Sequence, residues 1–299
     1  MPRDALVDYY LASEWGRTMV QCPICGEADA TPWRVVDAYA YFECRRCDSI
    51  FIDPGVLAEI DAGASIVDYS GDYWDRELSA ARERSFGSSL ARVAEVLLYA
   101  RRPVRRFLDI GSGPGYLLDA LSAYLPGSRQ VFHGVELFPP RETTTHPNFV
   151  RGAIADLQGR FDAGCCIEVV EHLTPTMLRG MLEQLAGRSE PGAIYIFNTG
   201  LPAYVKHEDP GYMDPKRRGH IVSYGLKGMA HIAASLGFGC LPIPGKTWAF
   251  CLEYLPEDGT PPLQPRIWSP RPENRALLHD RQMGSALYVL GIETARAYG

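Results

Sequence analysis

Four cysteines near the start of the chain have the types and spacing of a metal site. Cys22 and Cys25 form one C-x2-C pair and Cys44 and Cys47 a second, with 18 residues between the pairs. Thiolates spaced in this way match a four-thiolate zinc centre, each pair turning both sulfurs towards one ion in a tight knuckle. Gly26 supplies the positive φ that such a turn often uses. Sulfur then fills all four positions and none is left for water, which assigns the zinc to structure and not to catalysis. Redox chemistry, the competing use of C-x2-C, accounts less economically for two pairs at this distance. Cys165, Cys166, Cys240 and Cys251 read as small buried hydrophobes.

A second group lies in "FLDIGSGPGYLL", residues 107–118, where Gly111, Gly113 and Gly115 follow an apolar run with Ser112 between the first two. In an open α/β sheet, ligands bind beyond the carboxyl ends of the strands, where a glycine-rich first turn lets the backbone approach them. Glu136 closes the next strand-like run 21 residues after Gly115, in the place of an acid that accepts from both hydroxyls of a ribose. Strand, loop, helix and acid in that order imply an adenosine-containing ligand. The loop departs from the G-x-G-x-x-G of dinucleotide folds, in which the third glycine serves close helix packing under a pyrophosphate.

The scaffold for these groups shows in the hydrophobic pattern. At 299 residues and 46% hydrophobic content, the chain buries a full core and is expected to carry one large domain with a smaller attachment. "FLDIG", "VFHGVEL", "NFVRGAI", "AGCCIEV" and "AIYIFNTG" read as strands, alternating with helices at "YLLDALSAYL" and "TPTMLRGMLEQLAGR" and a shorter one near Pro139 to Thr145. Strands apolar throughout, alternating with helices, predict a doubly wound parallel sheet covered on both faces. A helix at "GLKGMAHIAASLG" leads into "CLPIPGK" and "AFCLEYL", close enough for an antiparallel hairpin at the sheet's end. The expected divisions are a zinc ribbon with its leading segment over 1–55, a helical connector over 56–105, the ligand-binding domain over 106–255, and a proline-rich wrap with a closing helix over 256–299.

A net charge of −6 and a pI near 5.7 give no reason to expect a nucleic-acid partner, which would need a basic face. No apolar run approaches the ~18 residues of a membrane span, and "MPRDALVDYYLASEWG" lacks the apolar core of a secretory signal. The expectation is a soluble, cytoplasmic protein without a membrane partner.

"LDIGSGPG" resembles motif I of class I S-adenosylmethionine-dependent methyltransferases, with Asp109 two residues ahead of the first glycine. "GVEL" and "FDAGCCIEVVEHL" resemble the family's ribose-binding and fourth-strand motifs. The resemblance runs from about Arg106 to Tyr254 and implies a Rossmann-like seven-stranded sheet with an antiparallel last strand. It implies S-adenosyl-L-methionine as cofactor, with Gly111, Ser112, Gly113 and Gly115 along its methionine end, Asp109 organising its amino group, Glu136 on the ribose and Glu168 shaping the pocket. Relatives often bind the adenine amino group with an acid where this chain has Ala153; Asp156 is the nearest substitute, or else a helix cap. A ribbon followed by "FIDP" and the cofactor domain resembles bacterial methyltransferases that act on sugars, glycans or secondary metabolites.

Methyl transfer from a sulfonium is an in-line displacement that mainly needs an aligned nucleophile and removal of its proton. Glu171 and His172 in "IEVVEHL", and His220 in "RRGHIVSYG", are the catalytic candidates; the two imidazoles titrate near neutrality and are the candidate bases. Glu168, Glu171 and His172 at i, i+3 and i+4, with His220, are similar to the E-x-x-E-H ion site of small-RNA 2′-O-methyltransferases. That likeness implies a magnesium or other divalent ion able to hold a vicinal diol and lower its hydroxyl pKa. Residues 198–220 are long for a strand-to-helix connection and are expected to form an acceptor-binding lid, with Lys216, Arg217 and Arg218 facing a phosphate or simply solvent. Tyr69, Tyr73 and Trp74 cover the cofactor, stack on a sugar ring, or pack the ribbon. Arg101, Arg102, Arg105 and Arg106 decorate the sheet's remote edge. The reaction expected is methyl transfer to a hydroxyl oxygen of a sugar-containing or small natural-product acceptor. C-methylation of a nucleotide-linked keto sugar, an RNA methyltransferase and a non-catalytic zinc-ribbon binding module are the alternatives.

Overall fold

The computed structural model describes residues 19–67, 71–256 and 262–298. Its strands are β1 (Ala30–Val36), β2 (Tyr39–Cys44), β3 (Ile50–Ile52), β4 (Phe107–Ile110), β5 (Phe132–Glu136), β6 (Phe149–Arg151), β7 (Phe161–Ile167), β8 (Ser189–Asn198), β9 (Val222–Ser223), β10 (Phe238–Pro242) and β11 (Ala249–Tyr254). They form a four-stranded sheet in the order β1-β2-β3-β9 and a seven-stranded sheet in the order β10-β11-β8-β7-β4-β5-β6. The large sheet is parallel from β8 through β7, β4 and β5 to β6, with β11 antiparallel to β8, as the Rossmann-like expectation requires.

By contact density the chain divides into two compact units: Met1–Asp68 with Glu168–Leu182 and Thr199–Phe250, and Tyr69–Ile167 with Glu183–Asn198 and Cys251–Gly299. In the second unit β4 is central, and all four of its residues are buried. Its register with β7, Ile110 opposite Cys166, brings the carboxyl ends of the two strands level. Helices Ser88–Tyr99 and Tyr116–Tyr124 turn the apolar residues Leu90, Val93, Val96, Leu97, Leu117, Leu118 and Leu121 inwards. Burying each such side chain is worth about 1.5–3 kcal/mol, and this dry core anchors the strand ends that carry function.

No helix forms between Pro139 and Thr145, contrary to the sequence expectation. Two consecutive prolines start the stretch and three threonines end it, a poor helix composition. The backbone is used elsewhere instead: Thr144 N donates to Pro114 O at 2.7 Å, strapping the segment onto the glycine turn. Among the described residues, no helix is long and apolar enough to cross a membrane.

In the first unit the small antiparallel sheet is built on β2, whose Tyr41, Phe42 and Cys44 are buried. A two-residue strand from far along the chain, β9, completes it by pairing with β3.

Candidate active site and metal centres

The four cysteines converge. Cys22 Sγ lies 3.7 Å from Cys47 Sγ, Cys25 Sγ lies 3.7 Å from Cys44 Sγ, and all four sulfurs fall within 4.8 Å of one another. A tetrahedral ion with Zn–S of about 2.3 Å sets its sulfurs about 3.8 Å apart, so the donor set fits zinc without adjustment. The two knuckles match: Gly26 N donates to Cys22 O and Asp48 N to Cys44 O, and Gly26 and Asp48 both take positive φ, 78° and 58°. The hydrogen bond from Cys22 draws the Cys47 thiol down to about 5, against the cost of burial.

At the head of β4, the backbone of the glycine turn is left-handed at Gly111, Gly113 and Gly115, with φ of 69°, 54° and 82°. Position 115 has no room for a side chain: a Cβ there would lie 2.2 Å from Thr144 Cγ2. The Glu136 carboxylate accepts from Gly113 N and from Phe138 N, both at 2.8 Å, which fixes it beside the turn. A carboxylate has about four lone-pair sites, so two remain able to accept from further donors. Leu137 and Phe138 beside it expose 58% and 62% of their surface, an apolar margin on a polar site. Asp109, buried in β4, accepts from Cys165 Sγ at 3.4 Å, and burial pushes its carboxyl up to about 6. Ser112 donates back to Asp109 O at 2.9 Å, so its hydroxyl stabilises the turn from within. The Trp74 indole lies across Gly113, with Nε1 donating to Phe138 O at 3.1 Å. Tyr69 and the side chain of Tyr73 fall outside the described residues. Asp156 sits in a short 3-10 turn, where Oδ2 accepts from Ala153 N at 2.8 Å in the manner of a cap.

The chain leaves β7 at Ile167, and the next residue, Glu168, holds a left-handed φ of 55°, costly for a side chain with a Cβ. A 3-10 turn at Val170–His172 follows. Glu171 is fully buried; its Oε1 accepts from Tyr212 Oη at 3.0 Å and stands 3.9 Å from His220 Nε2, while Oε2 accepts no hydrogen bond of ordinary geometry. Burial pushes the Glu171 carboxyl up, although its own amide, Thr199, Glu168 and Tyr212 ease the charge, and burial with the neighbouring His172 holds His220 well below an ordinary histidine. His172 Nδ1 lies 3.1 Å from Gly219 O and His220 Nδ1 2.7 Å from Tyr212 O. A carbonyl only accepts, so both imidazoles carry hydrogen on Nδ1, and in a neutral ring of that tautomer the lone pair is on Nε2. Donor atoms of Glu171, His172 and His220 fall within 4.8 Å of one another; Glu168 is not in that group.

Residues 198–220 are not irregular throughout. Pro202–His207 is a helix, Tyr212 and Met213 are buried, and Arg34 donates to Pro210 O. Lys216 lies over the Tyr39 ring at 5.8 Å, Arg218 pairs with Asp209 at 2.8 Å, and Lys216 and Arg217 are both exposed. Of the arginines before β4, Arg101 pairs with buried Glu253, Arg102 with Asp162, and Arg106 lies over Phe161, so these are structural ties. Arg105 gives its backbone N–H to Asp162. Sequence reasoning missed Tyr212, whose hydroxyl also accepts from Gly200 N at 2.9 Å. The tyrosine between Pro210 and Pro215 carries no spacing signal of its own.

Residues 79–242 match a protein family described as a methyltransferase domain. No curated protein matches the sequence. Among solved structures, the chain is similar to an amino pentose methyltransferase of calicheamicin biosynthesis from Micromonospora echinaspora with S-adenosylmethionine bound (16% identity, 60% of this chain and 95% of that one, TM-score 0.42). It is also similar to a sugar N-methyltransferase from a Streptoalloteichus species (16%, 61% and 92%, TM-score 0.45). A magnesium protoporphyrin IX methyltransferase from Synechocystis is a third (15%, 62% and 86%, TM-score 0.40).

Proposed function

Because the chain belongs to the methyltransferase-domain family and is an S-adenosylmethionine-dependent methyltransferase, we propose that it methylates a hydroxyl oxygen of a small, polyhydroxylated acceptor of the sugar or natural-product kind. The observation that carries this reading is the grouping of two imidazoles, each with Nδ1 on a backbone carbonyl, with the buried Glu171 carboxylate. An amine acceptor attacks with its own lone pair, whereas a hydroxyl must lose a proton as it attacks, and a lone pair held ready in a dry site serves that loss. His220, kept unprotonated by burial, is the first proton acceptor; His172 is the second.

In the cofactor site, Glu136 is assigned to the ribose hydroxyls, Gly111, Gly113 and Gly115 to close backbone approach, and Asp109 to the cofactor's ammonium. S-adenosylmethionine supplies a methyl group already activated on a sulfonium, so the chain's task is alignment and proton removal.

Glu171, His172 and His220 also suit a divalent ion. Both imidazoles use Nδ1 on carbonyls, as metal-bound histidines commonly do, and the unpartnered Glu171 Oε2 is the oxygen a cation would satisfy. Two nitrogens and one carboxylate favour manganese, iron or zinc over magnesium. Such an ion would lower the pKa of an acceptor hydroxyl. Zinc at the four cysteines has no open position and is assigned to structure.

Incubation with isotopically labelled S-adenosylmethionine and panels of sugars, phenols, amines and RNA tests the reading. A labelled O-methyl ether on a hydroxylated small molecule is the expected product; methylated amine or RNA with hydroxylated acceptors untouched would overturn it.

A further inference from the structure

Within the first unit, the strand after His220 is held from two directions. Ile221 N donates to Glu171 O at 2.8 Å, and Ile221 O accepts from Ile52 N at 2.9 Å. The next two residues form β9, paired with β3 through Val222 opposite Phe51 and Ser223 opposite Ile50. Tyr41, fully buried in β2, donates its hydroxyl to His220 O at 2.7 Å. Farther along, Gly225 N donates to Ser49 Oγ at 2.9 Å and Gly228 N to Cys47 O at 3.2 Å. Ser49 is completely buried, and its Oγ lies 3.4 Å from Cys47 Sγ. Gly228 packs on the same group: a Cβ there would lie 2.5 Å from Ser49 Oγ and 3.4 Å from Cys47 Sγ.

β3 therefore has two roles. It is the continuation of the Cys44–Cys47 knuckle, which Cys44 N closes by donating to Ser49 O at 2.9 Å, and it is the wall against which the residues after His220 are laid. Ser49 joins the two, with Cys47 on one side of its hydroxyl and Gly225 on the other. With a thiolate at Cys47 the serine hydroxyl donates to sulfur and its lone pairs stay with the Gly225 amide, so ligation and the position of the 220–228 segment favour one another.

We propose that the four-cysteine centre positions His220, with Ser49 and Tyr41 as the positioning residues that link the metal knuckle to the backbone of the proposed base. Assigning a catalytic consequence to this link rests on the reading of His220 as proton acceptor; the mechanical link itself does not. Because folding energy in such knuckles comes largely from the ion, emptying the centre releases β3 and with it the far side of the 220–228 segment. Coupling of this kind is reciprocal in binding free energy.

The test compares the zinc-loaded full chain with the same chain stripped by a chelator, using amide hydrogen exchange resolved to short peptides. Exchange over 220–228 and over the 170–172 turn is expected to rise about tenfold or more on stripping, while residues 111–115 keep their rates and S-adenosylhomocysteine its affinity. Readdition of zinc restores the slow exchange. Unchanged exchange over 220–228 overturns the proposal; so does a rise that includes residues 111–115, which would make the ion a support of the whole chain. Two variants keep all four cysteines. Tyr41→Phe removes one hydrogen bond to His220 and is expected to lower kcat about three- to tenfold with zinc content and S-adenosylhomocysteine affinity unchanged. Ser49→Ala is expected to weaken zinc retention and speed exchange at Gly225 together; weaker retention with normal exchange overturns the link. A protein that turns over no acceptor sinks the functional reading and leaves the exchange result to decide this one.

Discussion

Glu136 and Glu171 are two carboxylates at two sites, and they are held in opposite ways. Glu136 is beside solvent and takes two backbone N–H groups at 2.8 Å, so its orientation is fixed before any ligand arrives. Glu171 is completely buried and is pushed up by desolvation, which Tyr212, Thr199, Glu168 and its own amide only partly ease, and its Oε2 accepts no hydrogen bond of ordinary geometry. A buried unpaired charge is costly, and the group relieves it by taking a proton or a cation. The first site is complete and waits for a neutral or cationic partner; the second is incomplete without one. The contrast supports the proposal that assigns affinity to Glu136 and chemistry to Glu171.

Removing each charge while keeping its shape tests that division. Glu171→Gln is expected to have the largest effect, lowering turnover by about 10²–10⁴ while S-adenosylhomocysteine binds as before, because the loss falls on proton removal or ion binding. Equal loss of turnover and of cofactor affinity would erase the contrast. Glu136→Ala is expected to raise the S-adenosylhomocysteine Kd by about 10²-fold in calorimetry, the worth of two hydrogen bonds to a charged acceptor at about 1.5 kcal/mol each. A circular dichroism spectrum identical to that of the parent chain would separate this from unfolding.

The cysteine knuckles and the glycine turn were legible in the sequence because each is written in local spacing. Cys22 to Cys25 and Gly111 to Gly115 need only a few residues to declare a turn, and the structure builds those turns where the spacing puts them. Apolar strand runs were legible for the same reason, down to the five parallel strands of the sheet. Tyr212 and Tyr41 were not, since each acts through one hydroxyl on a partner 41 or 179 residues away. β9 was invisible at two residues, too short for any alternation to show. The stretch from Pro139 to Thr145 misled because its helix reading ignored what the glycine turn lacked, a strap, which Thr144 provides.

Asp109 gives the mildest way to sharpen the comparison, and the sign of the effect identifies its cause. Burial pushes its carboxyl up to about 6, so it is charged above pH 6 and neutral below. If it faces the cofactor's ammonium, affinity for S-adenosylhomocysteine falls as pH drops through 6, by about tenfold between pH 7 and pH 5. For stability this group has the opposite slope. The unfolded chain ionises Asp109 near an ordinary carboxylate value, so the folded state bears a cost at neutral pH that disappears as pH falls from 6 towards 4. His133, which burial lowers to about 4, works against that gain: the unfolded chain protonates it first, and its contribution is lost as pH falls below an ordinary histidine value. The two partly offset, which leaves binding as the quantity that changes most between pH 7 and pH 5. Calorimetric titrations at pH 5, 6 and 7 with parallel melting curves separate the two. Asp109→Asn should flatten the pH dependence of binding at the weaker level, and a slope that survives in that variant would assign the proton to another group.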